Sequence, residues 1–176
     1  MTDVERLFRA YHDPLVRYLT RRLGDRDWAE EVAQETFVRA LRHGEAGTGP
    51  APAKERAWLF AVATNLVRDD ARRDARRRRH LELLRAEAAE AHAESAGAVY
   101  ESAEERAREA ALARRAVDAL AERDRLALLM REEGLDYHEI AEALGLSVGS
   151  VGTTLARARR RLVERYEALA RGARAS

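Results

Sequence analysis

Gly149, Thr153, Ala156, Arg157 and Arg160 share one side of a helical wheel, with Ser150 beside them. Small side chains at the start of such a face let a helix sink into a DNA major groove, and the arginines that follow can grip phosphates. The stretch that carries them, LDYHEIAEALGLSVGSVGTTLARARRRL over 135–162, is written as a helical corner. Asp136 can cap a helix whose inward residues are Ile140, Ala141 and Leu144. Gly145 supplies the left-handed turn that a tight corner needs, and Leu146 plugs it. Ser147 is placed to cap the next helix by accepting from the amide near Ser150, and Val148, Val151, Leu155, Ala158 and Leu162 form its inward face. The spacing E-I-A-x-x-L-G-x-S is specific, so residues 136–165 are expected to form a helix-turn-helix. The plainer alternative is an αα-corner with a solvated arginine face.

A second cationic block, Arg68–Arg79, is interrupted by Asp69, Asp70 and Asp74. Three carboxylates on a helix could chelate a divalent ion carrying a pyrophosphate. Arg73 and Arg78, four residues after Asp69 and Asp74, are ion-pair partners at hand, and no second aspartate cluster exists to complete such a site. His138-Glu139-Ile140-Ala141-Glu142 falls one histidine short of the zinc-protease spacing. The remaining histidines, 12, 43, 80 and 92, have no ligand spacing, and neither a phosphate loop nor a nucleophile elbow is present. The expectation is a protein that is not an enzyme and carries no metal or cofactor.

The elements that must position these residues follow from composition. Only 6% of the 176 residues are aromatic although 46% are apolar, so the core must be Ala, Leu and Val. Ala, Leu, Arg and Glu dominate, all good helix formers, and three prolines leave room for long helices. With no cysteine there is no disulfide or thiolate site. No apolar run approaches the roughly 20 residues that span a bilayer, and the N-terminus is acidic rather than basic then apolar. A cytoplasmic, all-α protein without membrane insertion is expected.

Net charge is +1, but it is unevenly laid out: −1 over 1–52, +5 over 53–80, −5 over 81–110, −3 over 111–146 and +5 over 147–176. Two basic blocks around an acidic middle suit a nucleic acid touched at two places, or alternating solvated faces. The first helix is expected over 3–23, with Pro14 kinking or restarting it and Gly24-Asp25 ending it. Asp27 can cap a second helix with Glu30 three residues on, its apolar stripe being Trp28, Val32, Phe37 and Leu41. His43–Pro52 reads as a loop. A third helix starts near Ala53, turns Trp58, Leu59, Val62 and Leu66 inward, and runs through the arginines to His80. Residues 81–101 lose apolar periodicity and read as an acidic linker. A helix over about 102–120 follows, then one over 122–133, a stop at Gly134, and two short helices.

These pieces together resemble an ECF-type (extracytoplasmic function) sigma factor of bacterial RNA polymerase. Ala116–Tyr166 resembles the family's region 4, which reads the −35 promoter element and docks on the β flap. Asp27-Trp28-Ala29-Glu30-Glu31-Val32-Ala33-Gln34-Glu35-Thr36-Phe37 resembles the D-A-E-D-x-x-Q-E-x-F signature of region 2, whose helix packs on the β′ clamp coiled coil. Glu31, Gln34 and Glu35 would then be the core-polymerase contacts, a compact acidic patch within one turn. Ala57–Leu66 resembles the W-L-x-x-I-A-x-N segment, and the arginine helix after it matches the part that holds the −10 element.

The resemblance implies that Asn65, Arg68, Arg72, Arg73, Arg76 and Arg77 meet melted −10 DNA, with the cationic groove on its backbone. His43–Pro52 sits where relatives bind a flipped base, while Trp58 reads as core rather than a stacking platform. Gly149, Ser150, Thr153, Arg157 and Arg160 would meet the −35 element. The chain departs from the family at Gly152 and Thr154, where relatives often carry basic residues, and at Ala121, where a proline is common.

The expected architecture is two small helical domains, region 2 over 1–80 and region 4 over 102–171, joined by the linker 81–101. The expected partners are RNA polymerase core and promoter DNA, and an anti-sigma factor is common for the family. Two rivals belong to other classes: a stand-alone regulator that binds duplex operators, and a module that only sequesters polymerase.

Overall fold

The computed structural model describes residues 3–85 and 101–174, with side chains described over 3–72 and 105–173. Among the described residues there are seven α-helices, one short 3-10 turn and no strand. They are α1 (Asp3–Leu23), α2 (Arg26–Glu45), the turn Pro52–Lys54, α3 (Glu55–Arg85), α4 (Glu101–Asp118), α5 (Glu122–Glu132), α6 (Tyr137–Leu144) and α7 (Val148–Arg174). The all-α expectation holds.

Helices α1 to α3 form the N-terminal unit. Their seams are alanine-rich (Ala29, Ala33, Ala57 and Ala63 are all buried), which lets helices approach closely around Leu15, Leu19, Leu59 and Phe60. Tyr18 is the largest fully buried side chain and lies 5.0 Å from the Phe60 ring. Its hydroxyl meets the Thr64 hydroxyl at 2.7 Å, which satisfies the polar end of an otherwise apolar site. Burial pushes the Tyr18 phenol above its usual range. Pro14 lies inside α1 and does not restart it. Flanking Leu15 and Val16 are buried, so packing holds the turn that lost one amide donor.

Helix α2 is capped by Asp25, not Asp27: the Asp25 carboxylate accepts from the Trp28 amide at 3.0 Å. Asp25 has extended backbone and follows the left-handed Gly24, the geometry a cap requires, while Asp27 falls in the first turn. The expected loop also begins later, because α2 runs through His43 to Glu45.

In the C-terminal unit, α5, α6 and α7 enclose Leu126, Met130, Leu135, Ile140, Val151 and Leu155, all fully buried, and α4 packs along α7. Asp136 caps α6 in a reciprocal box with Glu139, and Gly145 closes it at φ 65. Both features match the expected corner. Ser147 behaves differently: the Ser150 amide donates to its carbonyl at 3.0 Å rather than to its hydroxyl. The last helix is long rather than short, reaching Arg174, with no proline in it and no glycine between Gly152 and Gly172. Val148 lies 39% exposed, and Thr154 takes an inward position in its stead.

The two units pack against each other, α1 on α5 and α3 on α6, around one continuous apolar core. Among the described residues six ion pairs cross the seam, each with the cation on the N-terminal unit. Arg17 and Arg21 meet Glu133 at 3.0 and 2.9 Å, and Arg22 and Arg68 meet Glu122 at 3.3 and 3.0 Å. Lys54 meets Glu142 at 3.0 Å, and Arg56 forks onto Glu139, its Nε donating at 2.7 Å. The sequence shows the charge blocks but not that they face each other. Residues 86–100, most of the expected linker, lie outside the described residues.

Candidate nucleic-acid interface

On α2 the buried face is Ala29, Val32, Ala33, Thr36, Phe37 and Ala40. Glu31 and Gln34 are thereby turned to solvent, and Glu35 is half-buried with its carboxylate accepting from Arg39 at 3.0 Å. Leu41, expected inward, is 43% exposed because Ala40 takes the core position. With Val38 at 40% it extends the Glu31–Gln34 stripe by two further turns as an apolar patch. The sequence pattern does not single out Val38, and it turns Leu41 inward. A 3.6-residue period drifts over 20 residues, and only the packing shows where the stripe leaves the core.

Helix α3 buries Ala57, Leu59, Phe60, Ala63, Thr64, Leu66 and Val67. Trp58 is half-buried against the core with its ring edge-on to His43 at 5.4 Å, as its core reading implies. Asn65 and Arg72 are exposed and Arg68 is half-exposed, so the outer face of α3 carries all three. Arg68 is engaged by Glu122, and Arg72 stands 3.8 Å from Asp69. Asp69 thus has Arg72 beside it, while the expected partner Arg73 has its side chain outside the described residues. Arg73, Arg76 and Arg77 lie on α3, and their side chains are outside the described residues, as is the expected Asp74–Arg78 pair.

On α7, Val151, Thr154, Leu155 and Ala158 face the core. Gly149, Thr153 and Arg160 are exposed, and Ser150 and Arg157 are half-buried. The hydroxyls of Ser150 and Thr153 donate to the carbonyls of Ser147 and Ser150 at 2.8 and 2.9 Å. Arg157 is bound within its own unit. Its Nη2 and Nε donate to the Asp124 carboxylate at 2.6 and 3.1 Å, and Arg161 reaches the same group at 3.3 Å. Asp124 is almost wholly buried, and the Arg157 hydrogen bond holds its carboxyl below the usual range, outweighing the cost of burial. Arg160, by contrast, has among the described residues only Glu164, at 3.9 Å. The two departures from the family pattern on α7 fall off the outer face: Thr154 is buried, and a Cβ at Gly152 would lie 3.5 Å from the Tyr137 ring of α6.

The arrangement can hold a phosphate backbone at two places, α3 and α7, and offers a mixed acidic and apolar ridge on α2. No helix among the described residues is long and apolar enough to cross a membrane. Residues 7–78 match the family described as sigma-70 region 2, and residues 110–162 match sigma-70 region 4. RNA polymerase sigma factor YlaC of Bacillus subtilis is 32% identical over 161 residues, 89% of this chain and 88% of the relative. The ferric citrate uptake sigma factor FecI of Escherichia coli is 33% identical over 155 residues, 88% of this chain and 85% of the relative. Among solved structures, the sigma factor RpoE of Bartonella quintana, determined with the anti-sigma factor NepR, covers 95% of this chain and 98% of its own. Its TM-score is 0.69 at 20% identity, a likeness of fold.

Proposed function

The chain belongs to the ECF sigma factors, which direct RNA polymerase core to promoters, and from that premise we propose how its surfaces divide the work. The α2 ridge of Glu31, Gln34 and Glu35, continued by Val38 and Leu41, docks on the β′ clamp coiled coil. The observation that carries this reading is the exposure of an apolar pair in line with polar residues, since acidic and amide groups give register while apolar area supplies affinity.

Asn65, Arg68 and Arg72, with Arg73, Arg76 and Arg77 further along α3, hold the melted −10 strand. Gly149, Ser150, Thr153 and Arg160 approach the −35 groove, while Arg157 acts there with its guanidinium already braced by Asp124. Region 2 is assigned to 1–80, the linker to 81–101 and region 4, which docks on the β flap, to 102–171. The factor breaks no bond; it works in the cytoplasm by making melted DNA the lower-energy partner of the polymerase. A protein of the anti-sigma kind is a further partner in this reading.

The experiment is co-purification with core polymerase. Gln34→Ala with Glu35→Ala should abolish core binding while helical circular dichroism stays unchanged. Normal core binding by that variant would show the interface assignment to be wrong.

A further inference from the structure

Between the two units, α1, α2, α3 and α5 surround an open cleft of about 580 Å³. Four guanidinium groups line it, Arg22, Arg68, Arg72 and Arg125, with Glu122 as the one carboxylate on its wall and Trp28 on one side. Glu122 bridges Arg22 and Arg68. The other two arginines are poorly matched. Arg72 lies 3.8 Å from Asp69, and Arg125 lies 3.6 Å from Asp118, both beyond hydrogen-bond contact. Among the described residues, Arg125 Nε is the one buried side-chain nitrogen or oxygen without a hydrogen-bond partner.

Like charges gathered in a partly desolvated cleft repel one another, and one carboxylate cannot satisfy four guanidiniums with their many donors. Arg22 registers this crowding: burial is the main cause that lowers its pKa, and Arg68 and Arg125 add to the lowering. An arrangement of this kind is relieved by an anion with several oxygens, because guanidinium forks match phosphate geometry.

We propose that this cleft is an oligophosphate site, taking a nucleoside polyphosphate whose phosphates lie among Arg22, Arg72 and Arg125 and whose base lies toward Trp28. Arg22, Trp28 and Arg125 take no part in the promoter reading above, whereas Arg68 and Arg72 are shared with it, so the site borders the −10 surface. Glu122 and Arg125 come from the C-terminal unit and the other four residues from the N-terminal unit. A ligand bound to both sides therefore favours the packed arrangement over a separated one by mass action. Glu122 neutralises part of the charge of Arg22 and Arg68, and its own charge opposes an incoming anion.

Titration calorimetry of the full chain with inorganic triphosphate and with ATP tests the site. Arg125→Ala and the exposed Arg72→Ala should each weaken triphosphate binding by about tenfold or more. Arg171→Ala, which removes the same charge at the far end of α7, should leave it unchanged. Glu122→Gln should bind triphosphate more tightly than the natural chain. ATP binding more tightly than triphosphate assigns the side wall to a base. A single-stranded oligonucleotide that displaces triphosphate would instead identify the occupant as a nucleic-acid backbone at the same site. Equal loss from Arg125→Ala and Arg171→Ala, no binding by the natural chain, or weaker binding by Glu122→Gln would overturn the proposal.

Discussion

Arg157 and Arg160 lie about one turn apart on α7, yet they hold different partners and should fail differently. Among the described residues Arg160 reaches only Glu164, at 3.9 Å, so Arg160→Ala should leave stability unchanged and weaken −35 duplex binding. Its signature is a salt dependence of binding reduced by about one phosphate contact. Arg157→Ala should also destabilise the C-terminal unit and lower its denaturation midpoint, because it strips a charged hydrogen bond from a buried carboxylate. Denaturant titration beside a binding assay separates the two; equal stability loss from both variants would contradict this assignment. The same carboxylate sets a pH dependence. Asp124 is held below its usual pKa, so its stabilisation is full above the ordinary aspartate value near about 4. It is lost as pH falls from there through the lowered value. Thermal melts of the chain should therefore show an acid-side loss of Tm that Asp124→Asn lacks. At this scale the sequence named Arg157 as an outward cation, and wheel geometry supports that. It could not show Asp124 as its partner, since 33 residues separate them and only α5–α7 packing brings them together.

At the scale of elements, the corner between α6 and α7 was the most legible part of the chain. Its cap, its left-handed glycine and its inward residues are local features, each with its own chemistry. Asp136→Ala should cost about 1 kcal/mol and Gly145→Val about 1–2 kcal/mol, read from chemical denaturation. If Gly145→Val is neutral, the left-handed closure is not what shapes the corner. Legibility fell where two residues compete for one role or where packing overrides local preference. Asp25 outcompetes Asp27 because Gly24 sets the chain direction before it, and α7 runs on where a short helix was expected. Pro14 is tolerated for the same reason: a buried flank outweighs one missing amide bond.

For the whole molecule, charge layout foretold two cationic surfaces but not the seam between the units. The six pairs across it among the described residues join an N-terminal cation to a C-terminal carboxylate, and one of those cations is Arg68, proposed above to meet −10 DNA. On the proposed reading a DNA phosphate competes with Glu122 for Arg68, whose Nε and Nη2 face that carboxylate. The pairs differ in depth: Lys54–Glu142 and Arg68–Glu122 are largely open to solvent, contribute only about 0–1 kcal/mol each and are screened by salt, whereas Glu133, Arg22 and Glu139 are largely buried and their pairs are screened less. Small-angle scattering should show the radius of gyration rising from about 50 mM to about 1 M salt, and Arg56→Glu with Arg21→Glu should reproduce the rise at low salt. A radius that is constant in both tests would mean the shared apolar core alone holds the units together.

The most direct test of two-handed promoter reading is run-off transcription by core polymerase with the purified chain, on templates found by mapping start sites across a genomic library. The expected result is transcripts from defined starts, lost in the Gln34→Ala, Glu35→Ala variant and in Arg68→Ala with Arg72→Ala, while the chain alone binds promoter duplex poorly. A chain that shifts promoter duplex unaided and yields no transcript with core polymerase would contradict it.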